Sequence, residues 1–212
     1  MTSALPYGLI TAWLAFFILH SILASSTFKR WFSQKFTTLW PRYRLFFNLV
    51  SVLTLLPVLG MTFALTTPIL WQWQGFWKLL MDGLALLAIA GFLFSMKYYD
   101  GLTFLGLRSD AAGHIGSADE PLVISPLHRY VRHPWYFFAL LMIWTRDMNA
   151  GWLIASVLMT AYFLLGSRLE ENKLIQEYGP GYARYRRRVA GVIPLPWRFL
   201  SKAEAEDIMK KG

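Results

Sequence analysis

The chain has 212 residues, of which 56% are hydrophobic, 17% aromatic and only 16% charged, with a mean hydropathy of +0.39. This balance is too apolar for a typical soluble domain and favours a protein that lies in a membrane. The absence of cysteine excludes a disulfide framework, a cysteine-ligated metal site and a thiol nucleophile. The net charge of +9 could suggest nucleic acid as a partner. However, the Lys and Arg residues fall between apolar segments and in the C-terminal tail, where membrane lipids with anionic headgroups would meet them, so no nucleic-acid partner is expected.

Three apolar runs are long enough to cross a bilayer as helices, which takes about 20 residues. They cover residues 5–24, 45–65 and 76–96. Two further apolar stretches, 135–144 and 152–166, flank a short polar turn and predict a helical hairpin. The first arm of this hairpin, roughly 18 Å long as a helix, is short for a complete span.

The distribution of positive charge predicts the orientation of these helices. With five spans and an outer N-terminus, all but two of the 21 Lys and Arg residues fall on the cytoplasmic side, the exceptions being Lys78 and Arg146. No basic residue precedes Lys29, so the opening run is typical of a retained helix rather than a cleaved signal peptide. We therefore predict an all-α polytopic integral membrane bundle with about five transmembrane helices, a C-terminal hairpin and a cytoplasmic tail.

The sequence predicts one structural domain with two functional parts. Residues 1–126 hold the first three spans and a cytoplasmic loop, and residues 127–212 hold the hairpin and the C-terminal segment. The loop between residues 100 and 130 is rich in Gly and Pro, which predicts irregular structure at the inner surface. His20, within the first span, is explained equally well by a hydrogen bond to a neighbouring helix or by a role at a functional site.

A first polar cluster opens the hairpin at residues 129–136. Pro134 suits the first position of a helix and disfavours helical backbone at His133, so the helix should begin at Pro134. The free N–H groups at that helix end would face His133 and Arg132 and would attract an anion.

A second polar cluster closes the hairpin at residues 168–173 and continues through residues 178–186. Because the turn is short, the two arms should be antiparallel neighbours, and the two clusters should meet at one membrane surface. Of the adjacent carboxylates Glu170 and Glu171, one must face the helix bundle, and Glu171 is the candidate for function. A purely structural interpretation is that the arginines are membrane anchors and that Glu170 and Lys173 form a solvated helix pair.

The common nucleotide-binding and hydrolase motifs are absent. The sequence has no dinucleotide-binding glycine motif after a strand, no P-loop, no HExxH and no GxSxG. A soluble α/β nucleotide-binding domain is therefore excluded, and no metal site is predicted.

Three motifs, taken in order, resemble a known family. RHPxY begins at Arg132, EExxL begins at Glu170, and YGxxYxxYxxRV covers residues 178–189. Their order and spacing over residues 127–194 resemble the isoprenylcysteine carboxyl methyltransferase superfamily, which includes phospholipid methyltransferases and bacterial methanethiol S-methyltransferase-like proteins. Residues 43–48, which open the second span, look like the bacterial thiol-methylating branch, and this implies a bacterial inner-membrane protein.

The resemblance implies a membrane methyltransferase that uses S-adenosylmethionine. Together with the charges, it places the candidate cofactor-binding residues in both polar clusters, namely Arg132, His133, Pro134, Tyr136, Glu170, Glu171, Tyr182 and Tyr185. The sequence departs from the family pattern at Phe138, where a small residue is often found, and in the lead-in over residues 126–128.

The chemistry of these residues agrees with the resemblance. A sulfonium cofactor carries a positive charge that tyrosine faces and a carboxylate can hold, while its methionine carboxylate suits Arg132 or the helix N-terminus. We expect a lipophilic or small membrane-permeant acceptor, either a thiol or a carboxylate, with a thiol as the first choice. Arg186 or Arg168 would orient this acceptor, and Glu171 would bind the cofactor or accept a proton.

Two other functions are compatible with the sequence alone. One is a sterol-reductase-like enzyme that uses NADPH, whose C-terminal region is similar but whose fold has more spans. The other is a transporter or a non-catalytic membrane scaffold, although the chain shows no inverted repeat and few ionisable groups at mid-membrane.

Overall fold

The computed structural model describes residues 4–65, 67–98, 100–108 and 122–211. Much of the loop for which irregular structure was expected, residues 109–121, therefore lies outside the described residues. The same holds for His114, which the sequence gave no reason to assign to a site.

Helices form most of the regular structure. The α-helices are α1 (Ala4–Ala24), α2 (Ser26–Lys35), α3 (Tyr43–Ala64), α4 (Gly75–Met96), α5 (Gly101–Leu105), α6 (Pro134–Trp144), α7 (Ala150–Arg188) and α8 (Lys202–Lys211). Two 3-10 turns, Trp40–Arg42 and Leu127–Arg129, and two short antiparallel strands, β1 (Ile69–Trp71) and β2 (Met148–Asn149), complete the described elements.

Four of the described helices, α1, α3, α4 and α7, are long and apolar enough to cross a membrane. Helix α6 is also apolar but has only 11 residues, so the first arm of the hairpin is short, as expected. The prediction of an all-α polytopic membrane protein is confirmed. Whether the short α6 is a fifth span, as expected, stays a prediction.

The chain folds into two compact units, each drawn from separate parts of the sequence. The first unit contains the described residues within 1–72, 99–115 and 147–159. In it α1 packs against α3, and His20 Nδ1 lies 3.1 Å from Ser51 Oγ. This interhelical hydrogen bond accounts for the polar residue in the first span, in agreement with the structural explanation.

The second unit contains the described residues within 73–98, 116–146 and 160–212. In it α4 packs against α6, and Trp135 Nε1 donates a hydrogen bond of 2.6 Å to Ser95 Oγ. This unit holds both polar clusters. The division into two functional parts at residue 126 stays a prediction.

Helix α4 accommodates the bulky residue at which the sequence departs from the family pattern. A Cβ atom on Gly91 would lie 2.5 Å from Phe138 Cζ, so the glycine leaves the space that this ring occupies. Tyr136, two residues earlier on α6, instead stacks on Phe163 of α7. Phe138 therefore faces α4, and it lies away from the tyrosine face of α6.

Helix α7 continues beyond its apolar half and carries the whole second polar cluster. Its one break is at Gly179, where φ is 57° and ψ is −135°, a conformation that favours glycine. After this break, Tyr182 and Tyr185 pack into a buried core together with Ala205 and Ile208 of α8. The C-terminal helix thus supports the basic end of α7.

Candidate active site

The segment before α6 is held in place by backbone pairing with the segment after α7. Val131 forms a parallel bridge with Ala190. The backbone N–H of Arg132 donates to Ala190 O at 2.9 Å, and that of His133 donates to Gly191 O at 3.0 Å. This pairing fixes the backbone positions of Arg132 and His133.

Helix α6 begins at Pro134, as the sequence predicted. His133 has φ −122° and ψ 70°, a non-helical conformation that is typical of the residue before a proline. Pro134 is buried at the first helical position, where its missing N–H removes no helical hydrogen bond. The N-terminal end of α6 is therefore next to His133.

Glu171 on α7 lies at the centre of a buried cluster of charges. Its Oε1 accepts hydrogen bonds from Arg132 Nε at 2.8 Å and Nη2 at 2.6 Å. Its Oε2 lies 2.9 Å from Arg186 Nε, and its Oε1 lies 3.1 Å from His133 Nε2. The side chains of Glu171 and Arg132 are only 4% and 8% exposed. Breaking such a buried pair leaves an uncompensated charge, which costs about 3–5 kcal/mol in comparable proteins.

The guanidinium of Arg132 also binds the backbone at the end of α7. Its Nη1 donates to Arg186 O at 2.8 Å and to Val189 O. Carbonyl groups at a helix C-terminus carry partial negative charge, so an arginine is favourable there. A Cβ atom on Gly191 would lie 3.2 Å from Arg132 Nη2, so this glycine allows the close approach. The sequence interpretation missed Gly191, which lies just beyond the YGxxYxxYxxRV motif.

Three rings form a stack beside the charged cluster. The ring of His133 is parallel to that of Tyr136 within 7°, with centroids 5.2 Å apart. Tyr136 in turn stacks on Phe163, with centroids 4.9 Å apart and planes within 11°. The sequence interpretation also missed Phe163. The available signal was its position two helical turns before Glu170, on the same face of α7.

The two adjacent carboxylates face different environments, as expected from their neighbouring positions. The side chain of Glu170 is 50% exposed, whereas that of Glu171 is buried. Tyr136 donates a long hydrogen bond of 3.4 Å to Glu170 Oε2, which also lies 3.5 Å from His133 Nδ1. Because these contacts are long and the group faces solvent, Glu170 can bind a further cation.

Tyr182 and Tyr185 lie in the core beneath the site rather than on its open side. Both are buried, and Tyr185 donates a hydrogen bond of 2.7 Å to His128 O. His128 Nδ1 lies 2.7 Å from Ser125 Oγ. Burial, with a smaller contribution from the charge of His133, lowers the pKa of His128 to about 4. These residues support the position of the charged cluster.

The structure separates the two arginines that the sequence proposed for orienting the acceptor. Arg186 is bound to Glu171, and 38% of its side chain is exposed. Arg168 is exposed and has no ion-pair partner among the described residues. Only Arg186 is joined to the cluster.

The resulting site can bind a ligand that carries both signs of charge. The half-exposed carboxylate of Glu170 suits a cation. The N-terminal end of α6 suits an anion. The buried ion pair between Arg132, just before α6, and Glu171, on α7, holds these two helices in place at the site.

Comparison with known proteins identifies the family. The chain is 33% identical over 195 residues to methanethiol S-methyltransferase 2 of Bradyrhizobium diazoefficiens. The aligned region covers 91% of this chain and 73% of that protein. It is 32% identical over 183 residues to the methanethiol S-methyltransferase of a Pseudomonas species, covering 82% and 68% of the two chains. This chain belongs to the methanethiol S-methyltransferase family. Another member, from Pseudomonas deceptionensis, is 30% identical over 194 residues, which is 84% of this chain and 69% of the relative.

Membership of the methanethiol S-methyltransferase family makes the chain a membrane methyltransferase. It confirms the resemblance drawn from the three motifs, and it decides against the reductase and scaffold interpretations. No family model and no solved structure matches the chain.

Proposed function

We propose that this enzyme transfers a methyl group from S-adenosylmethionine to a small thiol, with methanethiol as the first acceptor to test. The observation that carries this proposal is the buried Glu171 cluster, beside which a half-exposed carboxylate, Glu170, and a partly exposed arginine, Arg186, lie together. The printed names of the relatives supply the acceptor.

The residues of the site fit the charges of S-adenosylmethionine. The carboxylate of Glu170 would hold the cationic part of the cofactor. The Tyr136 hydroxyl donates a long hydrogen bond to this carboxylate and would keep it in place. The donors of Arg132 are already bound to Glu171 and to backbone carbonyls. The cofactor carboxylate is therefore assigned to the N-terminal end of α6, beside His133.

Arg186 is the residue proposed to hold the acceptor. A thiol must release its proton to water and react as the thiolate, and the nearby guanidinium of Arg186 favours that anionic form. When bound, S-adenosylmethionine supplies the methyl group to the thiolate sulfur and keeps the electron pair of the broken carbon–sulfur bond as a neutral thioether. A site with little water favours this step, because the reacting charges cancel as the new bond forms.

Glu171 is proposed to organise the site rather than to accept a proton. Its two oxygens are already in contact with Arg132, Arg186 and His133. These three groups favour the carboxylate, which makes it a weak base. Its contribution is to hold Arg186 and His133 at fixed positions.

The proposed location is a bacterial inner membrane, with the N-terminus outside and the C-terminus in the cytoplasm. The asymmetry of the basic residues supports this orientation. It places the charged cluster where a polar cofactor can enter from the cytoplasm while the acceptor enters from either the bilayer or the aqueous phase. Reporter fusions after α4 and after α8 should both report the cytoplasm, and a periplasmic signal from either would contradict the proposed topology.

The test of function is turnover by the detergent-purified enzyme with S-adenosylmethionine that carries a deuterated methyl group. With methanethiol we expect labelled dimethyl sulfide, detected by gas chromatography and mass spectrometry. An isoprenylcysteine, a fatty acid and NADPH serve as comparison substrates or ligands. Binding of S-adenosylmethionine without turnover of any thiol would contradict the proposal that the acceptor is a thiol. Saturable binding of NADPH without binding of S-adenosylmethionine would contradict the proposed methyl transfer.

A further inference from the structure

The segment that follows α7 turns large apolar side chains outward. Ile193 and Trp197 are 62% and 75% exposed, and Phe199 is also exposed. Phe199 stacks on the exposed ring of Tyr130, with centroids 6.0 Å apart and planes within 19°. We call these four side chains the apolar rim. The proposed methyl transfer does not use them, and exposed apolar side chains in such a group mark a surface that meets a partner or a membrane.

The backbone of this segment is bound firmly to the rest of its unit. Leu200 N donates to Arg129 O at 2.9 Å, and Arg129 Nε donates to Leu200 O at 3.0 Å. The N–H of Arg198 donates to Leu195 O at 3.0 Å and closes a turn. Leu200 itself is buried in the core that includes α8. The exposure of the apolar rim therefore belongs to a defined conformation of the chain.

Polar and apolar side chains of the segment are arranged in the reverse of a loop that faces water. The guanidinium of Arg198 is turned toward the end of α7, where its Nη2 donates to Arg187 O at 2.7 Å and to Arg186 O at 3.3 Å. Its two neighbours, Trp197 and Phe199, are the exposed side chains. Water would favour the opposite choice, because burial of an aromatic ring is favourable and burial of a charge is costly. The arrangement indicates an apolar environment outside the segment.

The lipid-facing surface of α7 ends close to the Glu171 cluster. This helix is long and apolar enough to cross a membrane. Its exposed apolar side chains continue through Leu165 to Leu169, which is 65% exposed. The next residue, Glu170, carries a half-exposed carboxylate. The exposed surface of α7 therefore changes from apolar to charged at this level, as it does where the hydrocarbon core of a bilayer meets the headgroups.

Contacts within the unit place the apolar rim at the same level. His133 Nε2 lies 3.1 Å from Glu171 Oε1, and the backbone N–H of His133 donates to Gly191 O at 3.0 Å. Ile193 follows Gly191 by two residues, and Tyr130 precedes His133 by three. Both ends of the apolar rim are therefore held beside the Glu171 cluster, where the lipid-facing surface of α7 ends.

We propose that the apolar rim is immersed in the interfacial region of the lipid bilayer. Tryptophan and tyrosine favour this region, because their rings contact lipid carbons while their polar edges bind water or headgroups. Trp197 and Tyr130 supply these side chains, and Ile193 and Phe199 contact the upper acyl chains. The occupant of this surface is phospholipid, since the apolar rim lies at the level where the lipid-facing surface of α7 ends. This inference does not depend on the methyl donor or acceptor.

The absence of cysteine from the chain allows a direct test with single-cysteine variants of the full-length protein. Ile193→Cys and Trp197→Cys are labelled with the environment-sensitive fluorophore NBD and placed in lipid nanodiscs that hold one copy each, so that both membrane surfaces are open to aqueous reagents. We expect blue-shifted emission at both positions. Quenching by lipids spin-labelled near the headgroup should be severalfold stronger than quenching by iodide or by lipids spin-labelled deep in the chain.

Two exposed positions on α7 serve as matched controls. Leu165→Cys lies on the lipid-facing surface and should be quenched most by the deep spin label. Gln176→Cys lies beyond the Glu171 cluster on the same helix and should be quenched most by iodide. The apolar rim should fall between these two limits.

Three outcomes would overturn the proposal. Iodide quenching of the rim positions equal to that of Gln176→Cys would place the surface in water. Deep quenching equal to that of Leu165→Cys would place it in the hydrocarbon core. Protection that appears only when several copies share a nanodisc would assign the surface to a second copy of the chain. If the variants fail to fold, a photoactivatable lipid with its reactive group near the headgroup should label the peptide containing Trp197 in the wild-type protein, and lack of labelling there would exclude the interfacial position.

Discussion

Gly91 on α4 faces the ring of Phe138 on α6, and a single added methyl group at Gly91 would lie 2.5 Å from Phe138 Cζ. We therefore expect Gly91→Ala to lower the unfolding free energy by about 1–3 kcal/mol, the usual effect of overpacking. Thermal unfolding in detergent, followed by size-exclusion chromatography, measures this change.

Gly83→Ala is the matched control for this contact. Gly83 lies on the same helix, and no atom lies within 4 Å of the Cβ it would gain, so its substitution should leave stability unchanged or slightly higher. Adding Phe138→Leu to Gly91→Ala should recover part of the loss. If it recovers nothing, the ring is not the group that resists the added methyl.

A second prediction concerns the buried pair of Glu171 and Arg132. Glu171→Gln keeps the shape of the side chain but leaves the Arg132 guanidinium buried without its counter-charge. We expect a loss of about 3–5 kcal/mol in stability together with loss of S-adenosylmethionine binding by calorimetry. Glu177→Gln, which changes a carboxylate later on the same helix, should affect neither quantity.

The double variant Glu171→Gln/Arg132→Met separates the two effects of this pair. Removing both charges should restore much of the stability, because no buried charge is then left unpaired. Cofactor binding should stay lost, since Arg186 and His133 no longer have a shared partner. Recovery of cofactor binding in the double variant would show that the cluster acts only through stability.

A third prediction distinguishes the arginines at the end of α7. Arg186→Gln should raise KM for the thiol and lower kcat/KM by roughly tenfold to a hundredfold near neutral pH, because the thiolate loses its counter-charge. The loss should shrink as pH rises, since solution then supplies the thiolate. Arg187→Gln, an exposed neighbour, should behave as the wild type does. A deficit in Arg186→Gln that is constant with pH would argue against a role in holding the thiolate.

The sequence left Arg168 and Arg186 as equal candidates for this role. The position of Arg168, exposed and outside the cluster, favours a small effect for Arg168→Gln. A larger loss of thiol turnover in Arg168→Gln than in Arg186→Gln would reverse the assignment.

A fourth prediction follows from His128. Burial lowers its pKa to about 4 in the folded protein, below the ordinary value of 6.5. Between these two values the unfolded chain binds more protons than the folded one, so stability decreases as pH falls from about 6.5 toward 4 and is unaffected above that range. The melting temperature should therefore drop between roughly pH 7.5 and pH 5, and His128→Asn should reduce the drop. An unchanged pH dependence in this variant would assign the effect to another group.

Local rules were enough to predict several parts of this protein. Proline geometry predicted that α6 would begin at Pro134. Adjacent side chains on a helix point in different directions, which indicated that Glu170 and Glu171 would face different environments. The short hairpin turn indicated that the two polar clusters would meet. Each of these conclusions depends on residues that are close in sequence or on the length of one connection.

The remaining features depend on contacts between distant segments, which no local pattern encodes. Gly191 matters because Arg132 lies against it, and Phe163 matters because Tyr136 stacks on it. Asn48 matters because its side chain donates a hydrogen bond to Phe104 O of α5. An isolated glycine, phenylalanine or asparagine in the sequence gives no sign of such a partner.

The backbone pairing of Arg132 and His133 with Ala190 and Gly191 has a consequence for how the enzyme is made. During translation, the RHPxY segment leaves the ribosome nearly sixty residues before the carbonyl groups that position its arginine. A nascent chain that has reached only Arg188 contains every charged member of the Glu171 cluster, but it lacks the carbonyl groups of residues 189–191 that bind Arg132 and His133. Synthesis of the segment after α7 is therefore required before Arg132 and His133 can reach the backbone positions seen in the structure.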